Sequence, residues 1–519
     1  MRRGSISCDW LWSSLLIMIA ATPSLAQESG GGGEIARQYQ GAACSSPCKL
    51  TPPDMGASVG PNEVVQMLNG SFTVYSRGGT VLSQTTDSSF WNSAGAPSTL
   101  YTNLSDPRII YDPTTQRWFA SEISIGGGTG TSANQILVAV SKNYDPTQGF
   151  KSVYFNSSPG TFGDFPTLGV TPDSVVIDTN NFPGVPSGEG LGNANGVSIF
   201  SLPKSDLTAP TGPSIANMTS FDNLPLAQGW TPETATNFAA SGNATVLRTL
   251  PLPPGNSPTM ITSAQITGGS GAGAMLTPLS NSPAPMTYGG QPQDGRQPGT
   301  FGMPAPPIDA GDNRISSDPF EVGNKIYFAQ SIFQGSSDVI QWGILDATTG
   351  AIMAQGLITL KDSFNQPLDL LYPSIAANAD GTFIVAFNGS GPGIGSAPGT
   401  PISAYRDVCS MIGMSVSCSG PQLDFAGLVP DYYLPDPTDP DQANRWGDYS
   451  WVAVDPNNPL DFWVFQEYPT SSDSWGTIIS DIATAPEPAS LLPMVTGLAG
   501  LGLLRRRRRH LGAAAVRSG

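Results

Sequence analysis

Five stretches of this chain repeat one plan, and the plan leaves few folds open. Asp106-Pro107-Arg108-Ile109-Ile110-Tyr111 runs into Asp112-Pro113-Thr114-Thr115 and resumes at Trp118-Phe119-Ala120. Asp164-Phe165-Pro166-Thr167-Leu168-Gly169-Val170 meets Thr171-Pro172-Asp173 and continues as Ser174-Val175-Val176-Ile177. The same order recurs at 372–376, 378–381 and 382–387, and again at 448–454, 455–458 and 462–465. A tighter version starts at Asp318-Pro319-Phe320 and returns at Ile326-Tyr327-Phe328. Short apolar runs on either side of a Pro-, Asn- or Gly-bearing turn predict β-hairpins. An isolated hairpin cannot bury its apolar face. Five of them about 50 to 80 residues apart, with one larger gap, therefore predict blades arranged about a common axis.

Two further hairpins fit the plan. Segments 245–250 and 259–267 fill the gap between Asp164 and Asp318, and 63–68 with 71–75 form a first hairpin, predicted to complete the final blade and lock the ring. The chain holds 60 Gly and 48 Pro and no long stretch of helical apolar period, so helices should be nearly absent. The expected fold is an all-β, six- or seven-bladed β-propeller over 58–483, with a low-complexity insert at about 268–312 and a flexible Gly-rich linker at 27–57. A two-sheet sandwich would explain the short strands but not the recurrent opening motif.

The hairpin pattern, and Arg445-Trp446-Gly447-Asp448-Tyr449-Ser450 in particular, resembles sialidase-like propellers of exported bacterial proteins. A sialidase needs three arginines to grip a carboxylate sugar, a Tyr/Glu nucleophile and an Asp acid. The resemblance offers Arg108, Arg314, Arg445, Tyr449 and Asp448 for these roles. The family's Arg-Ile-Pro motif and Ser-x-Asp-x-Gly-x-Thr-Trp boxes are missing; Ser472-Asp473-Ser474-Trp475-Gly476-Thr477 has the letters in another order.

Both ends carry export signals. Arg2 and Arg3 precede the apolar run 11–21, and Ser24-Leu25-Ala26 offers a signal-peptidase site, giving a signal peptide over 1–26. At the other end Pro486-Glu487-Pro488 is followed by an apolar run at 489–504 and by Arg505, Arg506, Arg507, Arg508 and Arg509. As a short hydrophobic helix the run would span about 24 Å, marginal for a ~30 Å hydrocarbon core, with the arginines held on the cytoplasmic side. The three parts in this order resemble the PEP-CTERM sorting signal, here placed at 484–510 with a tail at 511–519 that such signals usually lack. The resemblance implies that Pro486, Glu487 and Pro488 are read by an exosortase. The protein would then pass from an inner-membrane-anchored precursor to the cell surface or the extracellular matrix. An ordinary C-terminal membrane anchor is the competing reading.

Cysteine usage suits an oxidising compartment. Cys8 leaves with the leader, and Cys44 with Cys48 and Cys409 with Cys418 are the favoured pairs of three possible pairings, because each closes a short loop. Neither pair has the C-x-x-C spacing of a zinc site. Forty acidic residues face 23 basic ones. Removing 1–26 and 487–519 takes away eight basic and two acidic residues, leaving 15 against 38 and a net charge of −23. Such a surface repels nucleic acid and anionic lipid and favours divalent cations.

The single histidine, His510, lies in the removed tail, which excludes a Ser/His/Asp triad, a Cys/His pair and a histidine-held metal in the exported part. Gly126-Gly127-Gly128 lacks the strand-to-helix setting of a phosphate cradle. Asp106, Asp164, Asp318 and Asp448 open successive blades and are predicted to ring one channel mouth. There they would bind a ligand, hold calcium or act as acid and base on a glycan; the bland alternative is that each caps a turn. Asp431, Asp436, Asp439 and Asp441 crowd a loop with Tyr432 and Tyr433 ahead of Trp446, a composition suited to calcium or to a sugar face. The sequence thus reads as a non-enzymatic binding or structural propeller with an extracellular polysaccharide as its expected partner. The alternative is a carbohydrate-active hydrolase, which would need two carboxyls about 5 to 10 Å apart in one pocket.

Overall fold

The computed structural model describes residues 32–484 apart from 45–51, 102, 126–133, 185–193, 240–241, 251–258, 269–270, 272, 288, 300–304, 394–397 and 436–442. Their strands form seven antiparallel sheets. Blade 1 is built from Gly56–Val59, Glu63–Leu68, Ser71–Ser76 and Val81–Thr85, and blade 2 from Leu104–Asp112, Arg117–Ser124, Gln135–Ser141 and Phe150–Asn156. Blade 3 holds Phe162–Val170, Ser174–Phe182, Gly196–Pro203 and Thr219–Leu224; blade 4 holds Trp230–Thr234, Ala244–Leu250, Met260–Thr267 and Met275–Pro278. Blade 5 comprises Phe320–Val322, Lys325–Gln334, Ser337–Asp346 and Ile352–Ile358, and blade 6 Asp369–Ala377, Thr382–Gly391, Thr400–Ile412 and Ser415–Cys418. In blade 7, Trp451–Val454, Asp461–Ser471 and Ser474–Ala483 are joined by Glu34–Ala43 from the other end of the chain.

The first strand of each blade is innermost, and neighbouring inner strands touch around a closed circuit. Gly56–Val59 meets both Leu104–Asp112 and Trp451–Val454, and Asp369–Ala377 meets both Phe320–Val322 and Trp451–Val454. A parallel bridge from Thr236 to Phe320 joins blades 4 and 5. The chain is therefore a seven-bladed propeller, and the sandwich alternative fails because the strands share one axis. Among the described residues helix is confined to short pieces such as Asp87–Ser93.

Two expectations are corrected. The hairpin Glu63–Leu68 and Ser71–Ser76 belongs to blade 1 and does not complete the last blade. The lock is Glu34–Ala43, inside the predicted linker, which pairs antiparallel with Ser474–Ala483. It is a ladder strand because its outer edge can face solvent while its inner end is tied down. Ala42 N–H donates to Gln66 Oε1 at 3.1 Å, Gln66 Nε2 donates to Thr477 Oγ1 at 3.1 Å, and Thr477 Oγ1 donates to Ala42 O at 2.8 Å. Tyr39 packs between Tyr75 of blade 1 and Trp463 of blade 7, at 5.9 and 6.5 Å between ring centroids. Each fully buried ring or aliphatic chain in these joints contributes about 1.5–3 kcal/mol. The segment predicted as a low-complexity insert also carries strand, at Met275–Pro278 and Ala284–Pro285.

Cys409 and Cys418 form the expected disulfide within blade 6. Cys44 is also disulfide-bonded; Cys48 lies outside the described residues, as do the signal peptide and the sorting segment with Pro486, Glu487, Pro488 and the arginine run. Among the described residues no helix is long and apolar enough to cross a membrane.

Candidate functional site

Four inner strands share a defect that shapes the channel. Asp106, Phe165, Thr231 and Tyr372 each take a positive φ, between 42° and 60°, and each precedes a proline. The ladder register slips at the same points, between Ser105 and Arg108, Asp164 and Thr167, Trp230 and Glu233, and Leu371 and Ser374. A proline cannot donate to a ladder, so it sits where a bulge leaves it unpaired. Left-handed backbone at a non-glycine residue costs on the order of 1–3 kcal/mol. What the bulges achieve is a ring of polar side chains at one level: Arg108, Thr167, Glu233 and Ser374 each follow the proline directly, and all are buried.

This polar layer is knitted to itself. Arg108 is fully buried, with its guanidinium carbon 3.5 Å from the Tyr449 ring centroid and 5.2 Å from that of Phe165. It lies 3.8 Å from Asp318 Oδ1. The Tyr449 hydroxyl donates to Pro107 O at 3.0 Å, and Ser374 and Ser450 hydroxyls meet at 2.9 Å. Burial raises Glu233 well above the usual carboxylate range, with Arg108 pulling it back down.

On the side where the inner strands begin, the predicted acidic mouth forms. Asp448 N–H donates to Asp54 Oδ1 at 2.9 Å, Asp106 N–H to Asn69 Oδ1 at 3.1 Å, and Asn69 Nδ2 to Asp54 Oδ2 at 2.8 Å. Burial pushes up Asp54, Asp106 and Glu467, with neighbouring carboxylates adding to each. Asp164 rises to about 7 through burial and the charge of Asp106. Arg445 bonds Asp309 at 2.8 Å and lies 3.3 Å from Asp448, while Arg314 is held by Asp312 at 2.7 and 2.6 Å. The cavity lined here by Asp312, Arg314, Ser316, Tyr372 and Asp448 measures about 10 Å³, roughly room for a single water.

The structure places Asp106, Asp164, Asp448 and Arg445 near one another at this end, with Arg108 and Tyr449 sealed beneath them and Asp318 deeper in. Of the four aspartates, Asp164 takes a backbone hydrogen bond from the next residue as a turn cap would; Asp106 instead accepts from Ser105 Oγ, and Asp318 from Thr236 Oγ1. Tyr432 and Trp446, expected on an exposed loop, are buried and packed edge-on at 4.8 Å; Tyr433 is exposed. Asp431 is half-buried, and Asp436, Asp439 and Asp441 lie outside the described residues. Among the described residues, the one group of three whose ligand atoms converge within 4.8 Å is Asp407, Cys409 and Cys418, and its cysteines are bonded to each other.

The open cavity is on the other side of the polar layer. It measures about 400 Å³ and is walled by the far ends of the inner strands, including Val59, Ile110, Phe320, Ile375, Trp451 and Val454. Asp318 and Glu321 line it as well. Glu321 Oε1 accepts from Asn237 Nδ2 at 2.8 Å, whereas Glu321 Oε2 and Asp318 Oδ1 have no hydrogen bond. Burial raises Asp318 to about 8, against the lowering influence of Arg108, and raises Glu321 to about 7. Sequence reasoning missed this cavity, whose walls come from six separate places in the chain.

No protein-family profile and no curated protein matches the chain. Solved structures similar to it include a sialidase of Trypanosoma rangeli in complex with the inhibitor DANA, at 9% identity and a TM-score of 0.38, covering 94% of this chain and 65% of the sialidase. This chain thus spans just under two thirds of that protein. An α-L-arabinofuranosidase of Fusarium graminearum shows 10% identity and a TM-score of 0.39, covering 87% of this chain and 98% of its own. An exo-β-1,3-galactanase of Phanerochaete chrysosporium shows 12% identity and a TM-score of 0.32, covering 86% and 99%. At such values the likeness transfers no residue role to this chain.

Proposed function

We propose that this chain is an exported, exosortase-processed protein of the cell envelope or extracellular matrix, and that its propeller binds a glycan without cleaving it. The observation that carries the reading is the 400 Å³ cavity with two buried carboxyl groups on an apolar, aromatic wall. Its size falls within the roughly 300–1,000 Å³ of ordinary ligand pockets. Aromatic and aliphatic walls take the C–H face of a sugar, and carboxyl oxygens lacking a hydrogen bond take its hydroxyls. Glycan cleavage needs two carboxyls whose environments push their pKa values apart, one kept protonated and one kept ionised. Asp318 and Glu321 are both raised by the same burial, so neither is held as a firm base at neutral pH. The arginines that would grip an acidic sugar at the opposite mouth are engaged by Asp312, Asp309 and Asp448.

A carbohydrate-active hydrolase is the second reading, favoured by the presence of two perturbed carboxyls in one pocket. The test of binding is a neutral-glycan array probed with the mature chain, with Ala379→Trp at the cavity's exposed rim as the blocking variant. Binding that Ala379→Trp abolishes supports the proposal. Binding indifferent to it, or none, contradicts it.

A further inference from the structure

A second cavity, of about 350 Å³, opens between the outer part of blade 2 and the segment after the short helix Lys204–Leu207 of blade 3. Three basic residues line it: Arg117 at the start of one strand, Lys142 in the turn after another, and Lys151 in the outermost strand of blade 2. No carboxylate lines it. In so acidic a protein seven of the nine described arginines, Arg37, Arg77, Arg108, Arg296, Arg314, Arg406 and Arg445, are ion-paired; Arg117 and the buried Arg248 are not. Among the described residues Arg117, Lys142 and Lys151 have no carboxylate within ion-pair distance; the nearby Asp112 is taken by Lys204 at 2.8 Å, and Asp206 by Asn217.

The backbone around the cavity leaves space for the ammonium groups. Lys142 Nζ sits 3.3 Å from where a Cβ on Gly149 would stand, and Lys151 Nζ 3.9 Å from that of Gly212. Both glycines have positive φ, so side chains are disfavoured there and the places beside the amines stay open. Leu207, Pro210 and Pro213 supply an apolar wall. Three like charges lining one cavity raise the local positive potential there.

We propose that this cavity binds an anionic sugar residue, its carboxylate or sulfate held by Arg117, Lys142 and Lys151 and its ring against Leu207 and the two prolines. Glycan is favoured over a lipid headgroup because a bilayer sets a whole anionic plane against a mature chain of 15 basic and 38 acidic residues, whereas a sugar residue brings a single charge into the cavity and a ring to lie on its apolar wall. The site is separate from the channel cavity, so either can fail without the other.

The test is titration calorimetry of the mature chain at low and physiological salt with tetragalacturonate, the matching neutral galactose oligomer, inorganic phosphate and phosphatidylglycerol vesicles. The variants are Lys142→Gln/Lys151→Gln, with the exposed Lys361→Gln as control. The expected result is salt-sensitive binding of tetragalacturonate, weakened about tenfold or more in the double variant and unchanged in the control, with any uptake of the neutral oligomer insensitive to salt and equal in the double variant. Equal affinity for phosphate or for vesicles, affinity unmoved by the double variant, or no binding to any anionic probe would each overturn the proposal.

Discussion

The Arg108 guanidinium carbon lies over the ring of Tyr449, 3.5 Å from its centroid, in the fully buried centre of the propeller. One residue comes from the inner strand of blade 2 and the other from the segment leading into blade 7, so this contact joins two remote parts of the circuit. The charge is offset by Asp318 and Glu233 and by the ring's negative face.

Arg108→Met should therefore destabilise the protein by roughly 3–5 kcal/mol, because it leaves buried carboxyls without their countercharge. Arg108→Lys should lose most of the same stability, since an ammonium cannot stack as a guanidinium does. Urea unfolding checks both. A loss below about 1 kcal/mol would show that the central cation is not a structural element.

Closure by the N-terminal strand can be broken with one methylated carbon. A Cβ at Gly41 would stand 2.4 Å from Gln66 Oε1 and 2.5 Å from Thr477 Oγ1, inside the hydrogen-bonded triangle that joins blades 7 and 1. Gly41→Val should cost about 1–3 kcal/mol, in the manner of overpacked cores. Hydrogen exchange should then rise selectively across Glu34–Ala43 and its partner strand. Uniform protection in the variant would mean that the strand is not the lock.

Stability should fall as pH rises from about 4 to 8. Burial lifts Asp178 and Asp481 to about 6, Asp164 and Glu321 to about 7, and Asp318 and Asp338 to about 8. Their unfolded values lie near 4. In that window the folded state holds protons that the unfolded state has released, so unfolding becomes easier with every step upward in pH. Thermal scans between pH 4.5 and 8.5 should show a declining Tm, and Asp164→Asn should flatten the decline between about pH 4 and 7. A rising Tm would reverse the sign of the account.

The blades were legible because each hairpin carries its own turn chemistry, and the apolar faces at 109–111, 175–177 and 383–387 announce strands. The closing strand was not. Glu34–Ala43 lies at a sheet edge with most of its side chains exposed, so it lacks alternation, and the glycines at 30–33 made it look like linker. Asp106, Asp164 and Asp448 were expected at one mouth because each stands at or just before a blade's first strand. That Arg108 and Tyr449 would be sealed could not be read, since only the closed ring covers them. The polar layer did leave a trace: Arg108, Thr167, Glu233 and Ser374 each stand directly after a proline.

Sorting is tested at the far end of the chain. Mass spectrometry of the cell-surface fraction should find a mature C-terminus near Pro486-Glu487-Pro488 when exosortase is present, and the uncut arginine tail in the membrane when it is deleted. Surface protein that keeps Arg505 to Arg509 would contradict exosortase processing.

Whether the propeller holds a glycan or cuts it is decided by following one mixture over time. The mature chain is incubated with an oligosaccharide that it binds, at pH 5, 6 and 7, and the sugar is then weighed by mass spectrometry. Saturable binding, lost in Ala379→Trp, with the oligosaccharide recovered at full length after many hours is the predicted result; shortened products that disappear in Asp318→Asn would contradict it.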